Sequence, residues 1–542
     1  GANVTISEGN LQIFGGSNNG GDNRYAGTTG VSSGKWYFEM LRTDATGLGN
    51  HTATGVFDAS TPLSSGVYGG NGTNSGAAAN EWALTDRGYA CNTSTYTNLS
   101  GTIGTVTQNK VVQVAVDMDN KKIWFGIDNT FAGDPAAGSG QAFANLPTTI
   151  LPLAYHAQST QVFNFGQDSS FAGNETAQGN ADGNGVGDFY YAPPSGFLAL
   201  CSANLPEPTI IDASENFNTV TYTGTGSSNS ITVGFQPDFT WIKSRSNSYN
   251  HQLVNSVVGY PNGTLLSDAS DAEYTAAARV DSRDSNGFTV SSPAQVNLSN
   301  GTFAAWSWKA GGSAVSNTDG SITSQVSANV DAGFSIVSYV GNSTSGATIG
   351  HGLGAVPKLI IHKNRDVTDQ WSVYSSTVGT GKKLALNTTG TPESTSNYPT
   401  VPTTSVFYVG AGQEVNGNTN DIIAYCFANS DTTKVDSYVG NGSADGPFVY
   451  TGFRPAFVIA KNASAAGDPW VMYDDKRNEY NPTNTLMRSN TADTETTSTT
   501  TLFDFVSNGL KVRGSGAAHN GSGNTIIYLA IASSPFKFST AR

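Results

Sequence analysis

Three segments of the chain share one pattern: GFQPDFTWIK (residues 234–243), GAVPKLIIHK (354–363) and GFRPAFVIAK (452–461). Each reads Gly-x-x-Pro, then alternating apolar residues, then Lys. Pro at the start of a strand costs no ladder hydrogen bond, and alternation places every second side chain on one face. Each segment therefore predicts a strand, and its recurrence at domain-sized spacing predicts an array built by duplication.

The three segments also have equivalent neighbours. A Tyr and a Gly-rich turn precede each one, at Tyr222, Tyr339 and Tyr438, and a second apolar strand follows, as in FAAWSWKA, IIAYCFAN and IIYLAIAS. About six strands in roughly 100 residues are typical of a β-sandwich. The pattern predicts three related β-domains, which we place at residues 209–312, 313–430 and 431–542.

Composition indicates an all-β chain. Gly accounts for 63 of the 542 residues and charged residues for only 13%, while 10% are aromatic, which is enough for proper cores. Short strands joined by Gly, Asn and Ser turns have this composition. We therefore expect tandem β-sandwich domains: a first sandwich followed by the three related repeats.

The formal net charge of −14 disfavours binding to phosphate backbones and to anionic membrane surfaces. No apolar run approaches the roughly 20 residues that span a bilayer. The cysteines, Cys91, Cys201 and Cys426, are odd in number and far apart, which argues against a disulfide framework and favours folding in a reducing cytosol. We expect neither a nucleic-acid partner nor membrane insertion.

The first part of the chain has its own strand pattern. SSGKWYFEM (residues 32–40) predicts a strand with Trp36 and Phe38 on one face and Tyr37 and Glu39 on the other. VVQVAVDMDNKKIWFGID (111–128) predicts a hairpin that turns at residues 117–121 and directs Val114, Val116, Ile123 and Phe125 inward.

These landmarks, with the Gly55-Val56 pair and NFGQ (residues 164–167), occur in the order of the SPRY domain, a concanavalin-type β-sandwich. The resemblance covers about the first 170 residues, and we assign residues 1–172 to it. It implies a binding module and no chemistry. Because the ligand loops of that family vary, the resemblance assigns no ligand residue.

A bridging loop segment, residues 173–208, follows. Its YAPPSGFLALCSANLP passage (191–206) resembles virion proteins of marine tailed bacteriophages, where it lies between a SPRY-like domain and similar repeats. The resemblance implies a virion structural protein on the tail or capsid surface, made in the host cytoplasm. A tail fibre or surface appendage that helps attachment to a host receptor or glycan is the expected role. Its expected partners are other virion proteins and copies of itself, for example in a trimer.

One loop contains possible metal ligands. ADGNGVGDF (residues 181–189) spaces Asp182, Asn184 and Asp188 with glycines between them, and hard cations such as calcium take oxygen ligands from loops of this kind. The bidentate Glu of an EF-hand is absent. A plain turn cluster has the same composition, so a structural calcium and an empty turn both remain possible.

Catalytic patterns are weak. The six histidines show no metal-ligand spacing, and His362 should lie on the outer face of its strand. Two acid pairs, Asp474 with Asp475 and Glu39 with Asp117, could serve a glycosidase, although MYDDKRNEY (472–480) reads better as a polar loop after a strand. Exposed aromatics could bind sugars; the candidates are Tyr190, Tyr191, Tyr249, Tyr260, Trp371 and Tyr398. We expect no catalytic residue and no cofactor.

Taken together, the sequence predicts a non-enzymatic attachment protein in which rigid sandwiches in series form a stalk. Three alternatives stay open. A capsid or tail decoration protein would bind only virion subunits. A self-assembling extracellular filament or adhesin of a bacterium would show head-to-tail contacts between repeats. A glycan depolymerase would have a cleft with two close carboxylates.

Overall fold

The computed structural model describes residues 4–9, 11–15, 23–45, 52–59, 61, 80–92, 95–156, 159–260, 263–275 and 279–538. These form two compact units, Gly1–Pro206 and Glu207–Arg542. Strands dominate both, and the described helices are single turns. The predicted class, all-β with tandem β-sandwich domains, is confirmed.

The first unit is a sandwich of two mainly antiparallel sheets. In one, the order of strands is Val4–Ser7, Gln12–Gly15, Thr160–Asn164, Lys35–Arg42, Lys110–Asp117, Lys122–Ile127 and Thr130–Phe131, with Leu198–Ala199 pairing in parallel to Lys35–Arg42. In the other, the order is Asn23–Ala26, Ile150–His156, Thr52–Asp58, Glu81–Thr85, Tyr89–Asn92 and Thr95–Asn98. Two single helical turns, Ser100–Ile103 and Ser202–Asn204, complete the unit.

The predicted faces of the first unit are confirmed. Trp36, Phe38 and the four hairpin residues named above lie in the core between the two sheets. Tyr37 lies on the opposite face, where Trp124, Phe189 and Phe197 pack against it. Phe189 and Phe197 belong to the bridging segment, so this segment covers the outer face of the first sheet, as an ordered loop.

In the second unit each repeat has a main sheet. Its central four strands have the same order each time. They are the strand of the repeated Tyr (the Tyr strand), the second apolar strand named above (the closing strand), the Gly-x-x-Pro strand, and a third strand at residues 252–255, 372–375 or 471–474. In repeat 1 these are Phe217–Thr223, Thr302–Trp308, Phe239–Ser244 and Gln252–Asn255. Repeat 2 has Val315–Asn317, Ser324–Asn329, Phe334–Val340, Asp421–Phe427, Leu359–Asn364, Ser372–Ser375, Lys382–Ala385 and Glu393–Ser394. Repeat 3 has Thr433–Val439, Thr525–Pro535, Phe453–Asn462, Val471–Asp474, Thr485–Arg488 and Thr496–Thr497.

A smaller sheet covers one face of each main sheet and completes a sandwich. Its strands are Asn229–Thr232, Gly287–Val290 and Val280–Asp284 in repeat 1, Ala347–Gly350 and Val406–Val409 in repeat 2, and Phe448–Tyr450, Gly509–Val512 and Phe503–Val506 in repeat 3. Each sandwich has a core of its own. The remaining turns of helix are Ala213–Glu215, Ala294–Asn297, Gln413–Asn416, Ala517–Asn520 and Phe536–Phe538.

The other faces of the three main sheets meet in one hydrophobic core, which we call the shared core. Phe239 of repeat 1 lies 4.4 Å from Tyr425 of repeat 2 between ring centroids, and Phe217 of repeat 1 lies 5.7 Å from Phe457 of repeat 3. Aromatic pairs at such distances stabilise beyond their buried area. The Gly-x-x-Pro strands are therefore buried on both faces, which explains their nearly continuous apolar sequence.

The repeats are thus arranged around a centre and not in series, which corrects the predicted stalk. A ring N–H at the start of each third strand donates to a backbone carbonyl of the neighbouring repeat. Trp371 Nε1 donates to Leu266 O (2.8 Å) and Trp470 Nε1 to Ala385 O (3.0 Å). His251 Nε2 lies 3.0 Å from Arg488 O, so repeat 3 closes back onto repeat 1.

The Tyr of each repeat holds the single helical turn that precedes the closing strand. Its hydroxyl donates to a backbone carbonyl, from Tyr222 to Val296, Tyr339 to Val415 and Tyr438 to His519, at 2.7, 2.5 and 2.5 Å. The next residue is a buried Asn in all three repeats, and its side-chain oxygen accepts a 2.8 Å bond from an N–H of the Gly-rich turn. The sequence prediction missed these residues, Asn297, Asn416 and Asn520.

The Lys near the end of each Gly-x-x-Pro strand is also structural. Lys243, Lys363 and Lys461 are fully buried. Lys243 and Lys461 donate to the backbone carbonyl of the last residue of their own strands, Ser244 and Asn462, and Lys363 donates to Val367 O and Asp369 O in the loop after its strand. Burial lowers the pKa of each to about 8. These amines stabilise the ends of their strands and are not a surface site.

Candidate functional site

The predicted calcium residues belong to a loop with its own hydrogen bonds. The Asp182 carboxylate accepts from the backbone N–H groups of Asn184, Val186 and Ala199 and from the Asn204 side chain, at 2.6 to 3.0 Å. Burial by itself would raise the Asp182 pKa, but these bonds outweigh it and lower the pKa below its usual value. These hydrogen bonds therefore fasten the loop to Asp182.

Asn184 is linked to Asp182 through its backbone N–H and through the Asn204 side chain, whereas Asp188 has a backbone contact with Gly166. The Asn184 side chain donates to Asn204 Oδ1 at 3.1 Å, and the backbone N–H of Asp188 donates to Gly166 O. No group of three or more His, Cys, Asp or Glu side chains in the described part of the chain could hold a metal ion. Calcium at these three residues stays a prediction.

Glu39 has a structural role in the first unit. Its buried carboxylate accepts from the backbone N–H groups of Tyr190 and Tyr191, the Tyr37 hydroxyl and the Asn164 side chain, at 2.8 to 3.2 Å. Burial raises its pKa to about 7 although these bonds oppose the shift. Glu39 fastens the bridging segment, whereas Asp117 binds Asn120 and Lys35. The two carboxylates serve separate contacts.

His251, His351, His362 and His519 are buried. Burial lowers the pKa of His251 and His362 to about 3 and of His519 to about 4, and the His351 pKa is lowered as well. His362 was predicted on an outer face. It lies instead inside the sandwich of repeat 2, with Nδ1 3.1 Å from the Tyr398 hydroxyl, because both faces of its strand are covered.

Asp474 ends the third strand of repeat 3 and Asp475 follows it, and the two carboxylates are held by different arginines. Arg477 Nε donates to Asp474 Oδ2 at 2.6 Å, and Trp306 Nε1 of repeat 1 donates to the same oxygen at 3.0 Å. Arg454 donates to Asp475 Oδ2 at 2.9 Å. Each carboxylate is thus committed to its own ion pair.

Arg477 connects Asp474 to the junction with repeat 1. It also donates to Glu495 (3.3 Å), which forms a two-pronged pair with Arg245 of repeat 1 at 2.9 Å for both bonds. The Arg477 guanidinium lies 5.5 Å from the centre of the Trp306 ring. This network fixes the start of the loop that follows.

That loop, residues 475–480, is anchored at both ends. Asp474 Oδ1 accepts from the backbone N–H groups of Lys476 and Arg477, and just beyond the loop the Asn481 side chain exchanges two bonds with the backbone of Phe505. Between the anchors Lys476, Glu479 and Tyr480 are exposed. Tyr480 is 77% exposed, more than any other described large hydrophobic residue.

The loop borders a pocket of about 540 Å³ lined by Asp475, Lys476, Glu479 and Tyr480. Asp475 is only 9% exposed, and its Oδ1 has no hydrogen-bond partner among the described residues. Burial raises the Asp475 pKa, which Arg454 partly offsets. The pocket is therefore bordered by an exposed aromatic ring and two exposed charged side chains on an anchored loop.

The corresponding loops of the other repeats show how far this one differs. The first loop residue bonds equivalently in all three: Ser256 N to Asp238 O, Ser376 N to Lys358 O and Asp475 N to Ala456 O. Those loops begin SVVG and STVG, where repeat 3 has DKRN. Arg454 corresponds to Gln236 and Val356, so the Arg454–Asp475 pair occurs in repeat 3 alone among the three.

Sequence reasoning missed Tyr480. Two of its sugar-binding candidates, Trp371 and Tyr398, are buried at 0% and 2% exposure, and the remaining four are half-buried. Tyr480 lies in MYDDKRNEY, for which the sequence predicts a polar loop after a strand. The signal that could have identified this loop is its DKRN sequence, which differs from SVVG and STVG at the same place after the third strands of repeats 1 and 2.

Comparison with known proteins adds four findings. A family model described as "Domain of unknown function (DUF7483)" matches residues 212–535, more than half of the chain. Among solved structures, the SPRY domain of human HERC1 is 17% identical with a TM-score of 0.23, over 30% of this chain and 91% of that one. A second human SPRY domain is 12% identical with a TM-score of 0.21, over 30% and 93%. No curated protein matches the chain.

Proposed function

This chain belongs to the DUF7483 family, and we propose that it is a non-catalytic attachment protein of a phage virion that binds a glycan or receptor on the host surface. The virion setting rests on the resemblance of the bridging passage. In this proposal the three closed repeats are a rigid frame, and the loops on their surface make the contact with the host.

One observation carries the proposal: groups that could do chemistry are used to hold the frame, while the loop that distinguishes repeat 3 has an exposed Tyr beside a polar pocket. Neutral buried histidines and carboxylates in ion pairs are poor acids and bases. An aromatic face with a few fixed polar groups on an anchored loop is a common form of binding site.

Charge supports the same partner class. A net charge of −14 spread over a chain with few charged residues disfavours nucleic acid and leaves uncharged ligands as the natural partners. No helix in the described ranges has the length and apolarity to cross a membrane. We further propose that the chain works as a homo-oligomer, such as a trimer, together with other virion proteins.

The test uses the full chain, fluorescently labelled, with intact host cells and with immobilised bacterial polysaccharides. We expect saturable binding to cells and to at least one polysaccharide, with no shortening of the glycan. Release of reducing ends would instead identify a depolymerase. Binding to purified capsids or tails but not to cells or glycans would identify a decoration protein, and growth of filaments by the chain alone would identify a self-assembling adhesin.

A further inference from the structure

We propose that repeat 2 modifies itself: the Lys383 side chain forms an amide bond with the Asn397 side chain, ammonia is released, and Glu414 transfers the protons. The bond forms once in each folded chain. It closes residues 383–397 into a ring and so restricts the unfolded chain. The proposal is independent of the attachment function proposed above.

The two reacting groups share one carboxylate. Lys383 Nζ donates to Glu414 Oε1 in a short contact, and Asn397 Nδ2 donates to Glu414 Oε2 at 2.6 Å. The carbon that the amine attacks, Asn397 Cγ, is bonded directly to that Nδ2. Because one side chain holds both groups, the amine and the amide are already neighbours, and such positioning replaces a bimolecular encounter.

The group is shielded from water and its amide is fixed. Lys383 and Asn397 are 7% and 4% exposed, and the Glu414 side chain is 14% exposed. Asn397 Nδ2 also donates to the buried Ser372 hydroxyl at 3.2 Å. Exclusion of water favours transfer of a proton from the ammonium to the carboxylate, since the neutral pair needs less solvation than the ion pair. The neutral amine is the nucleophilic form of lysine.

The reaction balances without another reactant. Glu414 takes a proton from the Lys383 ammonium, and the neutral amine attacks Asn397 Cγ. The Nζ–Cγ bond forms and the Cγ–Nδ2 bond breaks, with no change of oxidation state. Of the two protons that Nζ loses, one converts the departing Nδ2 group into ammonia, and the other, carried by Glu414, leaves with it as ammonium. Glu414 can act as both base and acid because it contacts both nitrogens.

The other repeats show that the fold does not need this group. They form the same sandwich with different residues at the three places of Lys383, Asn397 and Glu414. Repeat 1 has Thr264, Arg279 and Gln295 there, and repeat 3 has Leu486, Thr501 and Ala518. An ion pair would require only the Lys and the Glu. The Asn on the second carboxylate oxygen adds the electrophile, so the three residues together indicate a reaction.

A second amide lies near the amine, because Gln370 Oε1 accepts from Lys383 Nζ at 3.3 Å. Asn397 is the expected partner, since its amide nitrogen contacts the carboxylate that supplies the proton to the leaving group. The experiment therefore has to locate the bond as well as detect it.

Intact-mass spectrometry of the purified full chain detects the bond. We expect a mass about 17 Da below that of the sequence, which corresponds to the loss of one ammonia. Digestion with trypsin and a glutamate-specific protease locates it, and residues 383–393 should be joined to residues 394–414. The full sequence mass, or a loss of ammonia without joined peptides, would overturn the proposal. Residues 366–382 joined to residues 383–393 would show a bond to Gln370 and overturn the choice of Asn397.

Variants of the full chain assign the roles. Lys383→Arg keeps the charge, Asn397→Thr recreates Thr501 and Glu414→Gln recreates Gln295, and each should keep its full sequence mass. Gln370→Ala is the matched control and should lose ammonia as the wild type does.

The triple variant Lys383→Leu/Asn397→Thr/Glu414→Ala recreates repeat 3 and leaves no unpaired charge, so it provides a folded chain without the bond if a single variant does not fold. Circular dichroism checks the fold of each protein. Loss of ammonia in the triple variant or in Asn397→Thr would overturn the assignment of the bond, and its persistence in Glu414→Gln would overturn proton transfer by Glu414.

Discussion

The three repeats resemble one another closely around the shared core and very little in the loops after their third strands. In the core, Phe239, Leu359 and Phe457 occupy equivalent positions in the three repeats. A ring that donates to the next repeat also occupies an equivalent position in each, at the start of the third strand. The loops begin SVVG in repeat 1 and STVG in repeat 2, but DKRN in repeat 3. Closing three sheets around one centre restricts the core positions, because interiors are close-packed and tolerate little change in volume. The loops face solvent and carry no such restriction.

Two core positions break the resemblance, and they do so together. Where repeats 2 and 3 have Trp371 and Trp470, repeat 1 has His251, and where they have Ile361 and Ile459, repeat 1 has Trp241. Trp241 Nε1 donates to His251 Nδ1 at 2.8 Å, which leaves the His251 proton on Nε2 to donate to Arg488 O. In repeat 1 the indole therefore lies on the Gly-x-x-Pro strand instead of at the start of the third strand. His251 accepts a hydrogen bond from this indole and donates one to the backbone of repeat 3.

The largest expected effect concerns the Asp474–Arg477 ion pair, which lies in repeat 3 at its contact with Trp306 of repeat 1. Arg477 corresponds to Val258 and Val378, and Asp474 corresponds to Asn255. Arg477→Val should lower the free energy of unfolding by about 3 to 5 kcal/mol, because it leaves the fully buried Asp474 carboxylate without its cation. Urea denaturation of the full chain measures the change.

The matched variant Asp474→Asn/Arg477→Val recreates the Asn255 and Val258 of repeat 1 and should recover most of the loss. If the single and double variants were equally unstable, the charge pairing would not be the cause. Arg365→Ala serves as a second control. It breaks the pair with Glu273, which joins repeats 1 and 2 and is largely buried, so its loss should also cost more than about 1 kcal/mol. Arg488→Ala is the low-cost comparison, because its pair with Asp493 is exposed, with side chains 30% and 63% accessible, and about 1 kcal/mol or less is expected.

The sequence allowed the strands to be predicted, because alternation and the position of Pro are local signals, and it identified Tyr222, Tyr339 and Tyr438. It did not allow the shared core to be predicted. Nothing near Phe457 indicates that Trp306 of repeat 1 lies 5.9 Å away. Alternation also predicts two faces of a strand without indicating which face is covered. For this reason the prediction that His362 lies on an outer face was wrong. Tyr480 became recognisable only when the repeats could be aligned on observed strands.

An intermediate effect should follow from exchanging the two unusual core residues of repeat 1 for those of repeat 2. His251→Trp alone crowds the Trp241 indole, and Trp241→Ile alone leaves a void and an imidazole nitrogen without its donor. The double variant His251→Trp/Trp241→Ile repeats the arrangement at Trp371 and Ile361. We expect each single change to cost about 1 to 3 kcal/mol and the pair to cost less than either. A double-mutant cycle by urea denaturation measures the coupling, and strictly additive costs would show that the two positions changed independently.

The smallest expected effect is a pH dependence located at His251. Burial lowers its pKa to about 3, with Lys243 and Arg477 adding to the shift, and a protonated Nδ1 would face the Trp241 N–H as a second donor. The unfolded chain takes up this proton near pH 6.5, well before the folded chain does, so the stability that His251 contributes falls as the pH drops from about 6.5 towards 3. Between pH 7.5 and 5.5 the wild type should lose about 1 kcal/mol more unfolding free energy than His251→Trp/Trp241→Ile, which lacks the imidazole. The other buried histidines and Glu39 are present in both proteins, so the difference between the two urea titrations isolates His251. Parallel pH profiles would show that this imidazole is not what makes the closing junction sensitive to acid.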